Sequence, residues 1–136
     1  MGDGLRLRAR MSVADALRAG GDAATRARAA HAAACEAFEE AWSAARAQVE
    51  RDGRIACAAG CSACCHQHVA ASAIEAVAIA AAIAGTPLAL RAIATDRATG
   101  SLDAPARRRA RIPCAFLAPD GSCAIHPVRP LRCRGV

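Results

Sequence analysis

The chain has no lysine and no tyrosine, and only two Phe and one Trp among its 136 residues. With so few rings to stack bases, a nucleic-acid platform is not expected, although the formal net charge is +6. Large aliphatic side chains are scarce as well: 40 residues are Ala, and only 26 are Val, Ile, Leu, Met, Phe or Trp. Ala buries little surface, so the core is expected to be thin. There is no G-x-G-x-x-G loop after a strand pattern and no carboxylate pair beside the cysteines, which removes two common enzyme constellations. No apolar run follows Met1, since Leu5 to Met11 is interrupted by Arg6, Arg8 and Arg10. A cytoplasmic chain without an export signal is the expectation. The most apolar stretch, 76–90, is too short to span a bilayer and is broken by Gly85-Thr86-Pro87, so no membrane partner is expected.

What the chain has is cysteine: eight in all. Seven of them are Cys57, Cys61, Cys64 and Cys65 in the run C-A-A-G-C-S-A-C-C, followed by Cys114, Cys123 and Cys133. A C-x3-C-x2-C-C run can turn its thiolates toward one point, and the later cysteines can close a shell around a metal ion. In a reducing compartment such clustering favours metal over disulfides. Charge agrees with this. From residue 101 onward there are seven Arg and two Asp, and four thiolates on a divalent ion leave an excess of about two negative charges for guanidinium groups to offset.

Helix signals place these cysteines. Ser12 with Asp15 suggests a short helix over 13–19, ending at Gly20-Gly21. Asp22 caps a long helix over 22–51 whose apolar seam is Cys35, Phe38, Trp42, Ala45 and Val49, with Glu36, Glu39, Glu40, Arg46 and Glu50 facing away. Cys35 reads as a small buried hydrophobe of that seam, and the seam is expected to lie apart from the cysteine site. Ser72 with Glu75 opens a helix over 73–84, and Thr86-Pro87 another over 87–99. Residues 101–113 read as a linker with one helical turn. Pro119-Asp120-Gly121 predicts a turn that lets Cys114 and Cys123 face each other. The fold class expected is mainly α, a small helical domain whose cysteine-rich loops close a metal site. Residues 1–54 form its N-terminal helical segment and 55–136 the metal-binding region of one compact domain.

Taken together, G-C-S-A-C-C-H-Q-H-V, Ser72 with Glu75, and I-P-C-A-F-L-A-P-D-G-S-C-A-I-H-P-V-R-P-L-R-C-R resemble the YkgJ-type cysteine-cluster family over residues 55–136. The resemblance implies a zinc- or iron-chelating domain, in some descriptions an iron–sulfur one, with a loose link to a flagellin lysine N-methylase. Two departures accompany it. His126 stands where relatives often have an aromatic residue, and Val136 follows Cys133 by three residues where relatives usually continue. The resemblance therefore does not carry over methylase chemistry that needs a further extension.

For a single four-ligand centre the residues favour Cys61, Cys64 or Cys65, Cys123 and Cys133, with Cys57 and Cys114 able to substitute. Adjacent Cys64 and Cys65 are expected to diverge, leaving one for a second metal or free. His66, His68 and His126 are alternative nitrogen ligands, and Arg129, Arg132 and Arg134 are candidate donors to thiolate. The cofactor expected is zinc or iron, the latter alone or as an iron–sulfur cluster. No catalytic residue stands out. A structural or carrier metal site is the function expected first, a metal-dependent redox or methyl-transfer enzyme second, and a nucleic-acid-binding zinc module third. No protein partner is indicated. With so thin a core, the half from Ile55 onward is expected to depend on metal for its tertiary structure, and Phe38 and Trp42 are not.

Overall fold

The computed structural model describes residues 3–53 and 61–134. They are mostly helical, and no strand forms among them. Five helices follow in order: α1 Asp3–Arg18, α2 Ala23–Asp52, α3 Ala73–Ile83, α4 Pro87–Thr99 and α5 Ala104–Arg109. Three 3-10 turns, Ala63–His66, His126–Val128 and Leu131–Cys133, carry or flank cysteines.

Ala is the strongest helix former, so this composition favours helices before any packing is considered. Local caps then set the boundaries. The Asp22 carboxylate accepts from Thr25 N at 2.7 Å to start α2. Ser72 and Glu75 form a complete capping box on α3, and Pro87 opens α4 where its missing N–H costs nothing. Gly100 ends α4 with its N–H on Asp96 O at 2.6 Å, and a Cβ there would come within 2.8 Å of that oxygen. Beyond it Asp103 caps α5, and Arg107 returns to donate to the Thr99 carbonyl at 3.3 Å and to the Thr99 hydroxyl. The expected linker is thus tied to the end of α4.

Two sequence expectations change. The helix expected over 13–19 begins at Asp3, because Leu5, Ala9, Val13 and Ala16 recur at helical spacing and are half-buried where α1 packs on α2. Ser12 lies inside that helix, and Asp15 pairs with Arg18 at 3.2 Å. The seam of α2 also shifts toward its start. Ala27, Ala30, His31 and Cys35 are buried, Phe38 and Trp42 are half-buried, and Ala45 and Val49 are exposed. Phe38 and Trp42 stack with centroids 6.3 Å apart.

The core is small, as its composition requires. Ile79 and Ile83 of α3 meet Ile125 from the cysteine-rich C-terminal segment, and Leu88, Ala89, Ala92, Phe116, Cys123 and Val128 pack around them. One of the three buried isoleucines therefore belongs to a loop. That loop is held to the helices by apolar burial as well as by polar contacts.

Candidate metal centre

The first cysteine loop is shaped by a single 3-10 turn. Cys65 N donates to Ser62 O at 2.9 Å and Gln67 N to Cys64 O at 3.1 Å. Because the backbone turns here, Cys64 and Cys65 are not sent to opposite faces as in an extended strand. Both residues line one cavity, and Cys64 is close enough to raise the Cys65 thiol, so the two are not divided between opposite faces.

A main-chain bond brings in the second loop: Cys114 N donates to Cys65 O at 2.6 Å. The chain then reverses at Pro119-Asp120-Gly121. Gly121 takes φ 82°, a conformation glycine tolerates, and the Asp120 carboxylate accepts from Ser122 N at 2.9 Å and Ser122 Oγ at 2.7 Å. The pairing across the turn is Leu117 with Cys123, an isolated antiparallel bridge flanked by Ala118 N to Ser122 O and Ala124 N to Phe116 O, both 2.9 Å. Cys114 is one turn earlier, and Phe116 N points at its sulfur at 3.5 Å. Ile125, 4% exposed, fixes the Cys123 arm in the helical core.

The last cysteine is positioned by a carboxylate on α3. Glu75 accepts from Ser72 N at 2.6 Å through one oxygen and from Leu131 N at 2.8 Å through the other. Cys133 follows two residues later, at the end of a 3-10 turn closed by its own N–H on Pro130 O at 2.9 Å. Burial alone would raise the Glu75 carboxyl, but the N–H groups of Leu131 and Ser72, the Ser72 hydroxyl and nearby His31 outweigh it and hold it below the usual carboxylate range.

Cys61, Cys64, Cys65, Cys114, Cys123 and Cys133 all line one cavity of about 590 Å³. Cys57 lies outside the described residues. Crowding raises the thiols. Burial, then the neighbouring Cys64, Cys114 and Cys123, push Cys65 up to about 12. Burial, then the same three neighbours, push Cys133 up to about 11, with Arg129 opposing. Cys114 is exposed as a residue, yet desolvation of its thiol is the largest cause of its upward shift. Among the described residues, no three Cys, His, Asp or Glu side chains stand in the arrangement of a closed metal shell. The six cysteines share one cavity, and no metal shell is formed among the described residues.

His66, His68 and His126 line the same cavity. His66 Nδ1 is 3.1 Å from Ser62 O, and His126 contacts Arg129. Desolvation, with Arg129 and Arg134 beside it, lowers the His126 pKa. The three candidate arginines separate: Arg129 and Arg134 line the thiol cavity, while Arg132 lines a second one with His31 and Glu75. Trp42 and Glu39 of α2 also line the thiol cavity, and Glu39 pairs with Arg134 at 3.1 Å. The long helix is therefore part of the site, contrary to the expectation from its seam, because the C-terminal segment folds back onto it. Cys35 is buried as expected, with His31 Nε2 3.5 Å from its sulfur. The four-residue spacing of His31 and Cys35 on one helix could have revealed that contact from sequence.

A family model, CxxCxxCC, described as a "putative zinc- or iron-chelating domain", matches residues 56–136, more than half of the chain. It is the family that the cysteine motifs resemble. No curated protein and no solved structure matches.

Proposed function

We infer, since this chain belongs to the CxxCxxCC zinc- or iron-chelating family, that it is a thiolate metal-binding protein whose site serves a structural or carrier role. The observation that carries this is the gathering of six cysteines from two loops around one cavity. Their donor set suits zinc, iron or an iron–sulfur centre, all of which accept thiolate sulfur. We assign the first ligands to Cys61, Cys64 or Cys65, Cys123 and Cys133, with Cys57 and Cys114 as substitutes. Such an ion would supply a cross-link between the two loops.

The protein's own groups do the rest. Glu75 and the Cys65–Cys114 main-chain bond set the two loops against each other. Arg129 opposes the upward shift at Cys133 and so favours its thiolate. The open arrangement requires the thiols to close and lose protons on binding, which couples local ordering to metal affinity.

Anaerobic purification, metal analysis and X-ray absorption at the metal edge test this reading. The expected result is about one equivalent of zinc or iron with a sulfur-dominated shell, at about 2.3 Å for zinc. A colourless protein with zinc identifies the mononuclear site, and a brown one with acid-labile sulfide identifies a cluster. A folded chain that takes up neither metal, or binds it through nitrogen and oxygen alone, refutes the thiolate assignment.

A further inference from the structure

The thiol cavity is larger than an ion requires, and its remaining wall has a definite chemistry. Four arginines, Arg46, Arg107, Arg129 and Arg134, line it against the acids Glu39 and Asp96. Arg134 is nine-tenths buried, its side chain only 10% exposed. It is also fixed in place: one terminal nitrogen donates to Glu39 Oε1 at 3.1 Å and the other to the Pro127 carbonyl at 2.8 Å. Arg129 is held against His126. In both residues the Nε–H is buried and has no hydrogen-bond partner among the described residues.

A buried, charged donor without an acceptor is costly, and two residues that line this cavity each carry one. Trp42 lies one helical turn beyond Glu39, the residue that anchors Arg134, and contributes an apolar face to the same cavity together with Ile125 and Phe116. A volume of about 590 Å³ with apolar walls and a few fixed donors is the kind of site that takes a small organic molecule. We propose that the cavity also binds a small organic carboxylate with an apolar body, its oxygens accepting from Arg129 Nε and Arg134 Nε and its carbon skeleton covered by Trp42 and Ile125. The carboxylate site stands beside the metal site and uses none of its thiols. An inorganic anion would satisfy the guanidinium groups and leave the apolar wall uncovered.

The test uses the full chain as purified, with metal content measured on the same sample and benzoate as the probe, followed by calorimetry and by Trp42 emission. Saturable binding of one benzoate per chain is expected, weakened at least about tenfold in Arg129→Gln and in Arg134→Gln, since each loses a charged hydrogen bond. Arg132→Gln, which faces the other cavity, leaves it unchanged. Arg129→Lys keeps the charge without the Nε–H and is expected to weaken binding too; its circular dichroism guards against a folding defect such as Arg134→Gln could introduce through Glu39. Inorganic phosphate is expected to bind more weakly than benzoate. No benzoate binding by the folded wild type, or binding indifferent to Arg129, overturns the proposal, and phosphate binding tighter than benzoate overturns the carboxylate assignment. If Arg129→Gln lowers metal affinity and leaves benzoate untouched, the guanidinium serves the thiolates and the proposal fails. Benzoate binding retained in a chain that takes up no metal sinks the metal reading alone.

Discussion

Glu75→Ala removes a group that caps one element and fastens another. Its carboxylate accepts from Ser72 N at 2.6 Å and from Leu131 N at 2.8 Å, 56 residues apart in sequence. Loss of a surface cap alone costs about 0.5–1 kcal/mol. A hydrogen bond to a charged group is worth about 1.5–3 kcal/mol when its donor is left buried. Ser72 is exposed, so water can replace that contact, and Ser72 Oγ still caps α3. Leu131 is half-buried and has no comparable replacement. A total of about 2–3 kcal/mol at pH 7 is therefore expected, most of it from Leu131. With urea slopes of about 1–3 kcal/mol/M, the midpoint should fall by roughly 1 M or more. The sign with pH follows from the carboxyl being held below its usual value near 4.5. Its contribution is complete above that pH and is lost as pH falls through the lower folded value. Urea titrations by circular dichroism should show wild type and Glu75→Ala converging on acidification. A cost under about 1 kcal/mol at neutral pH, or a gap that persists unchanged to pH 3, would refute the clamp and leave Glu75 as a simple cap.

Ile125→Ala is expected to cost about 2–5 kcal/mol, because Ile125 is one of the three isoleucines buried among the described residues and its loss leaves a cavity in that cluster; thermal unfolding checks it, and a loss below about 1 kcal/mol contradicts the core described. Replacing Cys61 or Cys133 by Ser should lower bound metal, measured by elemental analysis, whereas Cys35→Ala should leave it unchanged; equal losses in all three would deny Cys35 its purely packing role. Zinc affinity should tighten with rising pH, because the Cys65 and Cys133 thiols, at about 12 and about 11, hold protons that a cation must displace. Each proton released adds up to about tenfold per pH unit in an indicator competition, and a flat profile from pH 6 to 8 contradicts it. A strong chelator should raise protease cleavage within 101–136 and, because Trp42 lines the cavity, shift its emission as well; unchanged resistance in the metal-free chain would show that the metal does not order this segment.

The helices could be read from sequence because their signals are local. Asp22, Ser72 with Glu75, and Thr86-Pro87 each act within four residues of a boundary, and α3 and α4 begin where those residues place them. The extent of α1 was less legible, since Leu–Arg alternation hides the stripe Leu5, Ala9, Val13, Ala16. Cysteine identity was equally plain from spacing. What spacing could not supply was the assembly: Leu131 on Glu75, Cys114 on Cys65 and Arg134 on Glu39 are contacts between remote residues, and no local rule pairs them. The inclusion of Trp42 in the site follows from that folding back and from nothing in the periodicity of α2.

The bond from Cys114 N to Cys65 O is made by main-chain atoms, although both residues carry thiols of the site. It occupies neither sulfur. The two loops are thus registered here by main-chain groups, and the Cys65 and Cys114 sulfurs are not used by that bond. The contact between Cys65 and Cys114 therefore makes no demand on either thiol, whatever holds the rest of 101–136 in place. In a site held together only by its ligands, the ion leaves at the rate at which the structure comes apart. Here one main-chain bond between the loops is independent of any ligand, and it persists whether the two sulfurs carry protons or not.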